Sequence, residues 1–504
     1  MLLQQLIHRI PSPEEKMNPR MRNTIFIILL TLFTSTVGAT TIKIYTQQDF
    51  DLLSTNIMKA IKQGKKNISV DIETKELRFS DNQISITGIK RRDVSISIHG
   101  NGVRIMSRGI SVKEVKSPTF MYLRNGDYYN PWTEFQQLQD TISIIDEALH
   151  LCSINTPSKN KEDLHPQNKY INYTCWYTSR TSSVTYISKN RIEFDGGEWA
   201  VPQQGNFFNV NMDYSYAKVF PRYRLFGVKA VPNKLYECAA STLLKIAFCD
   251  FQSFSIDNIN VTGSSNNGAL ILIDSSKADS ISISNSTFRC IGGTILLDRK
   301  SSNVCFSGNR VDTFIGYGIE SEVGSAGSKV HDNAFSNCTL GMEMGFAIKM
   351  RSDNFVVRNN TISDFCYGGI GVGIYAKTKT DKKCTGIVSD NELYYTDTFL
   401  SNLSQHTLMD TGAIYTWTRT DGVTISNNYI HDIAGIKSNN GIFCDDGAKG
   451  ITLSGNRIER IHGGYDINLR WCETYKADVP DHNSGNRIFN NQTTGKVRFE
   501  TQRP

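Results

Sequence analysis

The sequence predicts an all-β chain wound as a solenoid of stacked parallel β-coils, and three observations lead there. Asn recurs two residues before an aliphatic or aromatic residue, in Asn309/Val311, Asn333/Phe335, Asn360/Ile362, Asn391/Leu393, Asn428/Ile430 and Asn456/Ile458. Separations of 24, 27, 31, 37 and 28 residues suit one coil with loops of varying length, not a fixed-length helical repeat. Period-two alternation in Ile68, Val70, Ile72 and again in Val94, Ile96, Ile98 reads as half-buried strand. Finally, aligning later coils on an Ile after a Gly or small residue gives a second strand per coil. Its inward set is Ile319/Ser321, Ile348/Met350, Ile374/Ala376, Ile414/Thr416, Ile442/Cys444 and Ile467/Leu469. Equivalent Asn side chains then stack about 4.8 Å apart, where each amide can satisfy its neighbours.

The elements follow in chain order. Arg20 and Arg22 precede the apolar run Ile25–Phe33 and the small residues Val37 and Ala39, which together read as an export leader over 1–39, cleaved after Ala39. No later segment is apolar for long enough to span a bilayer, so the mature chain is expected to be exported: periplasmic, cell-surface or secreted. Residues 40–111 hold the N-terminal cap and first coils. Thr46 and Asp49 can cap a helix whose Phe50, Leu53, Ile57 and Ile61 share one face and which ends at Gly64. Such a helix covers the open end of a solenoid, where strand edges and core side chains are otherwise bare.

Residues 112–245 break the pattern with Trp132, Trp176, Trp199, many Tyr and a helix-like stretch from Glu134 to Leu151, and are read as an inserted loop region. Its aromatics can serve its own small core or one wall of a sugar site. Residues 246–504 return to regular coils. Without the leader the chain is nearly neutral, near +4, which excludes a general basic field for nucleic acid. Eleven Cys is an odd number for an exported chain, so at least one thiol is left over, and no CxxC spacing suggests zinc.

If the inward set is right, the alternate residues face outward: Glu320/Glu322, Lys349/Arg351, Tyr375/Lys377, Tyr415/Trp417, Phe443/Asp445 and Asn468/Arg470. A row so rich in charged and aromatic side chains suggests an elongated binding groove. Within it, Asp410 to Arg419 and, one coil later, Asn440 to Gly447 bring together Asp410, Asp445, Asp446, Tyr415, Trp417, Phe443 and Arg419. Glycoside hydrolysis needs one carboxyl to protonate the leaving oxygen and a second to activate water or attack, about 5 to 9.5 Å apart. Crowded carboxylates also raise one another's pKa, which keeps an acid protonated near neutral pH. A plainer reading stands beside this one, since Asp446-Gly447 is an ordinary turn start and Asp410 before Thr-Gly can close a turn. His406 can overhang the groove from the preceding loop, whereas His431-Asp432 lies on a different strand and reads as a structural histidine.

A rival site lies lower on the face. Glu320 and Glu322 beside Lys349 and Arg351 have the inventory of a polysaccharide lyase, in which Ca²⁺ or Arg neutralises a uronate and Lys or Arg abstracts a proton. Opposite charges on adjacent rungs also simply pair.

The repeat region from about 250 to 495 resembles the right-handed parallel β-helix superfamily, which contains pectate lyases, polygalacturonases and several glycoside hydrolase families. The segment running from Asp410-Thr-Gly-Ala-Ile-Tyr415 to Ile442-Phe-Cys-Asp445-Asp446-Gly447 is similar to the Asp-x-Gly-Ala-Ile-Tyr and Ile-Tyr-x-Asp-Asp-Gly segments of exported β-helix proteins of polysaccharide-degrading bacteria. The resemblance implies right-handed coils, a groove active site, and a role for Asp410, Asp445 and Asp446. The Asn-Thr-Asp and Gly-His-Gly segments of polygalacturonases are absent from this sequence.

The expectation is thus an exported carbohydrate-active enzyme, a glycoside hydrolase of a polysaccharide or oligosaccharide with no cofactor. Asp445, Asp446 and Asp410 supply acid and base or nucleophile; Tyr415, Trp417 and Phe443 form a sugar platform; Arg419 and Arg470 hold polar or anionic groups, with His406 nearby. A uronate lyase using Glu320, Glu322, Lys349 and Arg351, with Ca²⁺ possible, and a non-catalytic glycan-binding solenoid are the alternatives.

Overall fold

The computed structural model describes residues 39–108, 241–264, 268–314, 316–338, 345–365, 367–375, 378, 380–401, 411–417, 419–434, 439–470 and 485–499, together with the backbone of strands between 111 and 237. The expected leader up to residue 38, Trp132, Trp176, Trp199, Ala376, Lys377, His406 and Asp410 lie outside the described residues.

The chain winds as a right-handed parallel β-helix. A typical coil has three strands, such as Thr294–Arg299, Val304–Ser307 and Arg310–Phe314. The first belongs to an eleven-stranded sheet running from Ile84–Thr87 to Val497–Phe499, called the ladder sheet below; the other two belong to a 21-stranded sheet. Coils stack in register, so like residues meet: Ile281 lies on Val304, and Phe306 on Val330. The interior is filled by columns of Ile and Val and by Phe288, Phe306 and Phe335, whose rings follow one another at 5.7 and 6.3 Å.

The Asn column is continuous. Asn309 Nδ2 donates to Asn333 Oδ1 at 3.2 Å, and the same bond repeats at 2.9 Å from Asn333 to Asn360, Asn360 to Asn391, Asn391 to Asn428 and Asn428 to Asn456. It runs on to Asn491, a member that the sequence pattern missed, and starts at Ser286, whose backbone N–H donates to Asn309 Oδ1. The residue before each member has positive φ: Asn285, Gly308, Asp332, Asn359, Asp390, Asn427, Gly455 and Asn490. Only Gly, Asn and Asp tolerate that left-handed corner cheaply, so one residue makes the turn and the next satisfies it.

The N-terminal cap forms as expected. Thr46 accepts from the Asp49 N–H while Asp49 accepts from the Thr46 N–H, closing a capping box on the helix Gln47–Asp51. A second helix, Leu53–Lys62, buries Leu53, Ile57 and Ile61 against the first coils. A strand, Ala39–Ile44, precedes them and pairs with Asn67–Ile72.

Between the coils of Lys90–Ser107 and Asp250–Ser264 the chain leaves along Ser111–Glu114 and returns along Lys234–Glu237, an antiparallel pair. The segment between them carries a seven-stranded antiparallel sheet. Strands Gln136–Gln137 and Ser143–Asp146 lie where a helix was expected from Glu134 to Leu151. Short apolar runs satisfy either period, and here sheet pairing prevails.

One rung of the inward set is also corrected. Ile348 and Met350 stack on Ile370 and Val372, not on Ile374 and Ala376, and the next rung is Ile414 and Thr416. Both Gly369-Ile370 and Gly373-Ile374 satisfy the sequence rule, and a shift of four residues preserves alternation, so periodicity cannot choose between them. The outward position falls on Gly371, where a Cβ would come within 2.8 Å of the Phe346 ring. Tyr375 lies beyond the strand and is exposed.

Candidate active site

The ladder sheet presents two outward columns. One runs Glu320, Lys349, Gly371, Tyr415, Phe443, Asn468, all in direct register. The other runs Arg299, Glu322, Arg351, Gly373, Trp417, Asp445, Arg470, where backbone bonds such as Trp417 N–H to Val372 O and Asp445 N–H to Thr416 O extend the pairing past the strand ends. Residues as distant as Arg299 and Arg470 therefore share one face. Arg299 was missed, although extending the alternation one coil N-terminal finds it.

The face divides into a charged half and an aromatic half. In the charged half Glu320 takes Arg351 at 2.9 Å and Lys349 at 3.4 Å, and Glu322 takes Arg299 at 3.0 Å. Lys349 Nζ also donates to Tyr317 Oη at 2.7 Å and lies over the Tyr317 ring. Glu320, Glu322, Lys349 and Arg351 are thus brought together, and they pair with one another as adjacent opposite charges do.

In the aromatic half Phe346, Tyr367, Tyr415, Trp417 and Phe443 form a cluster of their own. Phe346 meets Tyr367 at 5.3 Å, Tyr415 at 5.9 Å and Trp417 at 5.1 Å, mostly edge to face, and Tyr415 meets Phe443 at 5.2 Å. Tyr415 is 3 % exposed, Trp417 6 % and Phe443 0 %. The rings expected to form the sugar platform pack against one another, a gain of about 0.5–1.5 kcal/mol per pair beyond burial. Phe346 fills the gap left by Gly371 and could not be found from alternation, because it has the parity of the inward-facing Ile348.

Asp445 sits at the edge of this cluster. Tyr415 Oη donates to its Oδ2 at 2.6 Å, the Asp446 N–H donates to its Oδ1 at 2.8 Å, and Arg470 Nε is 4.0 Å away. Burial pushes the carboxyl above the ordinary Asp range, the Tyr415 hydrogen bond pulls it down, and the charge of Asp446 raises it again. Asp446 itself has a left-handed backbone followed by Gly447, also at positive φ, which is the plain turn reading.

The Arg419 guanidinium donates to the carbonyls of Thr380 and Lys382 at 2.9 and 2.8 Å and so ties down a loop. His431 is structural, as expected: its ring bonds Asp432 and Glu392 and stacks between Tyr394 and Tyr429. Among the described residues no group of His, Cys, Asp and Glu has the arrangement of a metal site, and no helix is long and apolar enough to cross a membrane.

No protein-family model matches the sequence, and neither does any curated protein. Solved structures do. One described as a glycoside hydrolase superposes with a TM-score of 0.55 at 11% identity, over 90% of this chain and 96% of that one. XylC in complex with xylose gives 0.35 at 9% identity, over 86% and 80%, and the catalytic domain of a GH87 α-1,3-glucanase in complex with tetrasaccharides gives 0.30 at 10%, over 78% and 97%. At such identities the first of these establishes the shared fold.

Proposed function

We propose that this chain is an exported carbohydrate-active enzyme, a glycoside hydrolase that cleaves a polysaccharide or oligosaccharide on the outward face of the ladder sheet. The observation that carries the reading is Asp445: a buried carboxyl on that face, raised by desolvation, oriented by Tyr415 and faced by Arg470. A carboxyl whose pKa is raised in this way is suited to be the proton donor that a glycosidic oxygen needs. Asp410, which directly precedes the strand Thr411–Thr416 in sequence, is assigned the base or nucleophile, and His406 a substrate-binding role; both lie outside the described residues. Asp446 contributes charge, not proton transfer. The fold shared with a glycoside hydrolase is compatible with this reading.

The packed aromatic cluster changes what Tyr415, Trp417 and Phe443 are proposed to do. They form a rigid wall that fixes Asp445, while Arg470 meets polar or anionic substituents of the glycan. The lyase reading with Ca²⁺ has less support, since Lys349 and Arg351 are both engaged by Glu320.

The test is a glycan panel offered to the chain without its leader, following reducing ends and ultraviolet absorbance together. Reducing ends without new absorbance, lost in a folded Asp445→Asn variant, support the hydrolase; new absorbance that depends on calcium supports the lyase. Binding without turnover on every glycan leaves the non-catalytic solenoid and sinks the proposed chemistry.

A further inference from the structure

A second cluster lies on the 21-stranded sheet, away from the ladder face. Cys305 points outward from Val304–Ser307, half-buried and a free thiol, with Sγ 3.5 Å from His331 Nε2. His331 Nδ1 lies 2.6 Å from Asp332 Oδ2, and Asp332 Oδ1 accepts from Asn359 Nδ2 at 3.2 Å. Asp332 is the left-handed corner before Asn333, so the turn that builds the Asn column also swings this carboxylate against the ring. The carboxylate accepts a hydrogen bond from Nδ1–H, which leaves Nε2 as an acceptor aimed at sulfur.

The order thiol, imidazole, carboxylate is that of an activated nucleophile: the base is in reach and a third group orients it. His431 offers an internal contrast. It is held by Asp432 in the same way at 2.6 Å, but its Nε2 faces the carboxylate of Glu392, so that unit is a closed ion-pair network. Only at Cys305 does a His–Asp pair of the described residues meet a nucleophile. The other titratable groups around it are Lys329, opposite Cys305 on the next rung, and Arg358, opposite His331 on the rung after that. Both are cations and favour a thiolate. Burial pushes the thiol up, Ser307 and Lys329 oppose it and the charge of Asp332 adds to it, so ionisation depends on the base accepting the proton.

We propose that Cys305, His331 and Asp332 form a reactive-thiol site that takes disulfides and soft electrophiles, independent of the glycan site. In the exchange step His331 Nε2 accepts the thiol proton and Cys305 Sγ attacks one sulfur of an incoming disulfide. One S–S bond forms and one breaks with no net oxidation, and the departing thiolate takes the proton back from the imidazolium. The product is a mixed disulfide on the outer surface of the solenoid. Among the described residues the other thiols, Cys249, Cys338, Cys384 and Cys444, are buried and do not compete; burial holds Cys384 and Cys444 up at about 12.

The probe is 5,5′-dithiobis(2-nitrobenzoate) on the folded protein, with the modified residue located by mass spectrometry of peptides. Cys305→Ser is expected to remove the fastest phase of label. His331→Gln is expected to slow that phase about tenfold or more and to flatten its pH dependence, with thermal melting unchanged; Asp332→Asn slows it less. A fast phase that survives Cys305→Ser, or one indifferent to His331→Gln in a folded protein, overturns the proposal. Because Asp332 also makes a backbone turn, His331→Gln is the deciding variant if Asp332→Asn melts early.

Discussion

Tyr415 Oη donates to Asp445 Oδ2 at 2.6 Å across two adjacent coils, a bond between residues 30 apart in sequence. The donor stabilises the ionised form of a carboxyl whose pKa burial raises. Tyr415→Phe is therefore expected to move Asp445 further up, and to cost about 1–3 kcal/mol of stability for the lost charged hydrogen bond. With Asp445 as proton donor, the alkaline limb of the kcat/KM profile shifts to higher pH. Carboxyl-carbon NMR titration measures the same shift directly, and an unmoved resonance contradicts the assigned pairing.

Asn391 gives the Asn column its clearest test. Its side chain accepts from Asn360 N–H and Nδ2 and donates to Val357 O and Asn428 Oδ1, all buried. Asn391→Ala strands those partners and is expected to cost about 2–4 kcal/mol by urea unfolding. Asn491→Ala at the end of the column, partly exposed, costs less because water replaces the amide. Equal costs at both positions count against a column stabilised by mutual burial.

Gly371 is required by the Phe346 ring. Gly371→Ala places a methyl within 2.8 Å of it and is expected to destabilise by about 1–3 kcal/mol. In the Phe346→Leu background the same substitution costs much less, so a double-mutant cycle reports strong coupling. Additive effects mean that the ring and the glycine are unrelated.

Asp298 is an inward-facing carboxyl in the core, accepting from Ser321, Ser325 and Ser328 at 2.9, 3.0 and 2.7 Å. Burial raises its pKa above the unfolded value, with the three hydroxyls opposing. The folded state then holds a proton that the unfolded chain has released, so stability attributable to this group falls as pH rises above the ordinary Asp value of about 4. Asp298→Asn removes that dependence. The difference in urea midpoint between variant and wild type should grow in the variant's favour from acid to neutral pH, and parallel curves rule this out.

Much of the solenoid was legible in the residues themselves. The Asn column, the Thr46–Asp49 cap and five of the six inward pairs depend on local chemistry: an amide that must be satisfied, a helix end that needs an acceptor, and a period of two. The failures share one cause. Ile370 and Ile374 have the same parity and the same preceding Gly, so hydrogen bonding to Ile348 had to choose. Arg419 reads as a groove cation, and only the structure shows its guanidinium also reaching the carbonyls of Thr380 and Lys382. Tyr415, Trp417 and Phe443 read as a platform because alternation tells which side a ring leaves the sheet and not what then covers it.

The sequence by itself determined that the chain coils, where each coil turns, and that Tyr415 and Asp445 leave the same face. Tertiary structure alone decided that Phe346 lies over Gly371, that the aromatic rings close on one another, and that Cys305 meets His331. The reason is physical: periodicity and corner chemistry act within a few residues, whereas the depth and partner of a side chain depend on which coil settles above it.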